Sequence, residues 1–243
     1  MANWSDPRMT TNASPTSIGG QAAVHAGLRS YMLSVYNYMA SGVLLTGLVA
    51  MLFANSTIGQ NILTHGGALR WLIILAPLGL VMWLGMGINR MSENTAKTIF
   101  WVYATLMGLS MATVFLIYTR ESIATTFFAT AAAFASLSLY GYTTKKDLSG
   151  FGTFLIMGLV GLLVASLLNI FFQSSTMSLV ISFIGVLLFA GLTAYDTQKI
   201  KSMYFMVQGS DFLGKAVVMG ALTLYLDFIN MFQFLLSFLG NRE

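Results

Sequence analysis

Cysteine is missing from all 243 residues. Its absence removes disulfides, thiolate nucleophiles and cysteine metal sites together. Charge is nearly as scarce, since Asp, Glu, Lys and Arg make up 8% of the chain. A soluble domain carries about 25%, and so small a complement cannot coat a water-facing surface. Histidine occurs only at His25 and His65, and proline only at Pro7, Pro15 and Pro77. What fills the chain instead is apolar, with 56% hydrophobic residues. One membrane span takes about 20 such residues, and seven spans with short loops nearly exhaust the length. No sizeable soluble domain is left over. The net charge of +4 would hint at nucleic acid in a soluble protein. In a membrane protein the distribution of charge matters more than its sum, and no nucleic-acid partner is expected.

The apolar runs predict an all-α, polytopic membrane protein. The spans fall at about 31–54, 71–89, 98–118, 123–142, 151–173, 176–199 and 215–239. Barrel strands would alternate apolar and polar over about ten residues. These runs are apolar throughout and about twice as long, and a helix satisfies its own backbone in lipid. Residues 1–28 are polar and small, without an apolar run, and read as a flexible cytoplasmic tail ahead of a membrane domain at 29–243. No signal peptide is evident, so the first helix is expected to act as an uncleaved anchor. With the N-terminus inside, the inner segments hold Arg8, Arg29, Arg90, Lys97, Lys145, Lys146, Lys199, Lys201 and Lys215. The outer segments hold only Arg70, Arg120 and Arg242. The positive-inside rule then predicts N-in and, with seven spans, C-out.

Six of the eight acidic residues lie in tails or loops. The other two, Asp196 and Asp227, sit inside the last two apolar runs. An ionised carboxylate at a span centre costs about 2.5–3.5 kcal/mol on insertion scales, so such groups face the bundle interior or a watery cavity. Thr223, Asp227 and Asn230 share a helix face by their spacing, and Thr193 and Asp196 are expected to share one on the helix before. Two carboxylates close together in a low dielectric tend to share a proton and titrate as a pair. Alternatively a cation neutralises both, and calcium prefers hard oxygen ligands. Asp196 and Asp227 are therefore the candidate proton sensor and calcium site.

At these segments the chain resembles the Bax-inhibitor (transmembrane Bax-inhibitor-motif) family, in its bacterial branch. The resemblance rests on NRMS at Asn89–Ser92, GLSMATVFLIYT at Gly108–Thr119 and TAAAFASLSLYGYTTKKDLS at Thr130–Ser149. Its most specific parts are AYDTQKIK at Ala194–Lys201 and LYLDFINMFQFLL at Leu224–Leu236. The resemblance implies a seven-helix bundle with the last helix central. It implies a pH-dependent calcium leak that uses the two aspartates as its sensor. It also implies a latch between an arginine of the second helix, matched here by Arg90, and Asp196. Many relatives have a proline in the third-helix segment where this chain has Thr113 or a neighbour, so the local helix shape there is left open.

Rival chemistries lack their residues. An intramembrane aspartyl protease needs Gly-x-Gly-Asp and Pro-Ala-Leu signatures; Asp227 follows Leu224-Tyr225-Leu226, and no proline follows it. A retinal protein needs a lysine deep in the last span, but Lys215 lies at its edge. Serine and zinc intramembrane proteases need histidines in the spans. The expectation is thus a non-enzymatic calcium leak with no cofactor beyond calcium itself, whose partners are the bilayer and calcium ions. A regulator of other membrane proteins, such as a quality-control protease, and a proton-coupled transporter are the alternatives.

Overall fold

The computed structural model describes the backbone of residues 15–242, which is helical almost throughout. Residues 1–14, half of the expected tail, lie outside the described residues. The helices are α1 (Pro15–Asn55), α2 (Thr57–His65), α3 (Gly67–Gly87), α4 (Glu93–Met111), α5 (Val114–Ile117), α6 (Arg120–Thr143), α7 (Ser149–Phe172), α8 (Ser175–Val207) and α9 (Leu213–Leu239). Seven of these units are long and apolar enough to cross a membrane, with α4 and α5 together forming one. Their lipid-facing sides carry large apolar groups such as Phe171, Met157 and Leu52 in the open. A surface of that kind is stable only in hydrocarbon.

The turns between helices are set by local chemistry. Ser56, Ser92, Thr119 and Ser174 each place a side-chain oxygen on a backbone N–H at the start of the next helix. That satisfies donors the helix itself leaves unpaired. The α7–α8 hairpin closes at Gln173, whose φ of 49° is left-handed. Asn169 secures it by accepting from the Ser174 N–H at 3.1 Å.

Four boundaries differ from the sequence expectation, one being the end of α8, which runs to Val207 rather than 199. Residues 15–28 continue α1 as helix rather than forming a tail. The stretch QAAVHAGL is polar but rich in good helix formers, and extending an existing helix needs no new nucleus. The loop after the first span contains the short helix α2. The third span is interrupted at Ala112–Thr113, which separates α4 from α5.

Helix α9 occupies the middle. It packs against α1, α4, α6 and α8 and buries residues on all sides, from Ala216 to Leu236. Helices α3 and α7 are peripheral, packing chiefly on α4 and on α8 respectively. Phe100, Tyr103 and Tyr225 interlock edge to face in the core. The Tyr225 hydroxyl is 2.6 Å from that of Thr46, which donates to the Ala104 carbonyl at 2.8 Å. Gly141 lets α6 approach α8 closely, because a Cβ there would collide with the Ala194 carbonyl.

Candidate functional site

Helices α8 and α9 form the most extensive helix pair of the fold, and each brings one aspartate to it. A cavity of about 490 Å³ lies between α7, α8 and α9 and is lined by both Asp196 and Asp227. Leu159, Leu162 and Ser166 of α7 form one wall. Asp227 is 4% exposed, and its Oδ2 has no hydrogen-bond partner among the described residues. Buried carboxylate oxygens are normally paired, so an orphan on a residue that lines a cavity marks a place for a proton or a cation. Asp196 is only partly buried. Its charge acts on Asp227, and Lys199, one turn along α8, acts on Asp196 in turn.

The α9 face is as its spacing predicts. Thr223 and Asn230 line the cavity with Asp227. The Thr223 hydroxyl donates to the Met219 carbonyl at 3.0 Å, and the Asn230 amide N–H donates to the Leu226 carbonyl at 2.8 Å. Both therefore keep an oxygen with lone pairs free for a ligand.

Two predicted site residues are placed elsewhere. Thr193 is fully buried but does not line the cavity. At about 100° per residue, it lies about 60° from Asp196 on the side away from the cavity. Leu192, Phe189, Tyr195 and Lys199 lie within the cavity-facing arc instead. The Thr193 carbonyl accepts from Thr197, which joins Ser138 and Tyr36 in a chain of hydroxyls. Arg90 ends the 3-10 turn Ile88–Arg90 after α3 and is exposed. Among the described residues the one ion pair is Lys97 with Glu93, so Arg90 and Asp196 are not joined in this conformation. Helix α3, which ends just before this turn, packs chiefly on α4. Lys199 was counted in sequence only as a loop charge; its i+3 spacing from Asp196 is the signal that places it at the site.

No three Asp, Glu or His side chains gather anywhere among the described residues. Calcium takes six to eight oxygens. Two carboxylates, a hydroxyl and an amide oxygen fall short of that shell, and water would have to complete it.

Residues 28–243 match the family described as "Inhibitor of apoptosis-promoting Bax1". The chain belongs to this family. Among its relatives is the inner membrane protein YbhL of Escherichia coli K12, 46% identical over 220 residues, which span 90% of this chain and 94% of the relative. The protein RP147 of Rickettsia prowazekii is 50% identical over 218 residues, covering 89% and 92% of the two chains. The membrane protein SpyM3_0260 of Streptococcus pyogenes is 35% identical over 225 residues, covering 89% and 95%. Family membership and the seven apolar spans together make this chain a multi-pass membrane protein.

Proposed function

We propose that this Bax-inhibitor family member is a non-enzymatic, calcium-permeable leak of the bacterial inner membrane, with its N-terminus cytoplasmic. Asp196 and Asp227 are its cation site and proton sensor. The observation that carries this reading is the buried Asp227, which lines the same cavity as Asp196 and whose Oδ2 has no hydrogen-bond partner among the described residues. A site with only two carboxylates holds calcium weakly, which suits passage rather than storage.

The sign of the pH response follows from charge. The titratable groups lining the cavity are Asp196, Asp227, Tyr195 and Lys199. In acid the carboxylates hold protons and attract a cation less, so flux falls. In alkali both ionise, Lys199 offsets one, and the other is left for the cation. The latch with Arg90 belongs to a conformer in which the end of α3 approaches α8, and Arg90→Ala should then raise the resting leak.

Purified protein in liposomes loaded with a calcium dye tests the proposal. Calcium entry should exceed that of protein-free liposomes and slow in acid. Asp227→Asn should lower it by about tenfold, equivalent to ~1.4 kcal/mol of barrier, and flatten its pH dependence. Wild-type protein that passes no calcium would instead favour the regulator reading. Variants with unchanged flux and pH response would remove the aspartates from the mechanism.

A further inference from the structure

The loop between α6 and α7 is folded back against α8 rather than free. Gln198 holds it at two points: its amide N–H donates to the Lys146 carbonyl, and its amide oxygen accepts from the Leu148 N–H, both at 2.8 Å. Between this loop and α8 lies a polar cavity of about 370 Å³. Lys145, Lys146, Lys199 and Lys201 all line it, against a single acid, Asp147.

The acid and two of the lysines already have partners, Lys199 lying 5.9 Å from the centre of the Tyr195 ring. Lys201 Nζ donates to the Tyr142 carbonyl at 2.7 Å and sits over its ring. Asp147 accepts from the Ser149 N–H at 2.9 Å, capping α7. Hydrogen bonds from the Ser149 side chain and backbone hold its carboxyl below the usual range. It is therefore ionised at neutral pH. Lys145, Lys146 and Lys199 form no ion pair among the described residues. Lysines that only set topology need not converge on one cavity. Here four of them do.

We infer that this pocket binds a phosphate-bearing anion, either the headgroup of an anionic phospholipid or free phosphate. A phosphate group offers several strong acceptors to ammonium donors. Basic pockets between membrane helices take such headgroups, and this loop joins two helices long and apolar enough to cross a membrane. Tyr195 and Lys199 line both this pocket and the aspartate cavity. An anion that draws Lys199 toward itself removes the nearest positive charge from Asp196. This last consequence, unlike the binding itself, rests on the proposed function.

Native mass spectrometry of the full-length protein in detergent tests the binding without reference to flux. The probes are phosphatidylglycerol, phosphatidylcholine and inorganic phosphate. Phosphatidylglycerol should be retained in preference to phosphatidylcholine. Lys145→Gln with Lys146→Gln should weaken that retention about tenfold, while Lys→Arg at both positions preserves it. Asp147→Asn should strengthen it. Competition by inorganic phosphate identifies the phosphate group as sufficient, and its failure assigns the site to the lipid. Equal retention of the two lipids, or of phosphatidylglycerol by wild type and the Gln variant, overturns the proposal. In calcium-dye liposomes, added phosphatidylglycerol should change the rate for wild type and not for the Gln variant. Retention without a rate change would sever the link to Asp196 while leaving the binding site intact.

Discussion

Helices α7 and α9 invert the rule learned from soluble proteins. By sequence α7 is the more hydrophobic of the two, yet only Gly152, Leu155 and Leu162 of its 24 residues are buried. Helix α9 carries Thr223, Asp227 and Asn230, yet half of its apolar window is buried, against 11% for α7. In water the apolar helix would go inside. In lipid a leucine gains nothing by moving from hydrocarbon to protein, whereas a carboxylate, hydroxyl or amide is costly against acyl chains and is kept inside the bundle. The polar helix is therefore drawn to the centre, and the most apolar one is left on the rim.

The largest expected break in this contrast is Tyr225→Ala. It empties a fully buried ring site and removes one of the Thr46 hydroxyl's two partners, at a cost of about 3–5 kcal/mol. Thermal unfolding in detergent should show it clearly, while Phe171→Ala on the rim of α7 stays within about 0.5 kcal/mol. Next is Val160→Asp, which places a charge on the exposed face of α7. It should cost about 2.5–3.5 kcal/mol in a membrane-insertion assay; cost-free insertion would mean that this face does not meet lipid. Asp227→Leu should have the opposite sign. Replacing a buried charge with an apolar group is neutral or stabilising by about 1–4 kcal/mol, so the melting temperature should hold or rise while calcium flux is lost. A large destabilisation would make Asp227 a structural residue instead. Smallest is Thr46→Val, which removes the hydroxyl between Tyr225 and the Ala104 carbonyl and should cost about 1–2 kcal/mol.

The spans and the aspartates were legible because lipid imposes a long, uniform signal that two charges interrupt. The α9 face was legible too, since Thr223 and Asn230 both fall on the same side of Asp227 as the cavity. The α8 face was not. From Asp196 a residue at i−3 and one at i−4 diverge to opposite sides, and spacing alone does not say which side meets the neighbouring helix. The cavity lies toward Leu192, so Thr193 turns instead toward Thr197 and Ser138. Arg90 was read from resemblance, and resemblance carries no information about which conformer a latch occupies. The helical stretch 15–28 escaped because polarity was taken for disorder, although alanine and glutamine support helix as readily as loop.

The central claim is that Asp196 and Asp227 act as one titrating unit at the α8–α9 interface. A double-mutant cycle on the pH dependence of calcium flux measures this directly. The account predicts that Asp196→Asn and Asp227→Asn each abolish most of the pH response, and that the double variant loses little more than either alone, as groups that act together do. Two independent, additive losses would contradict it.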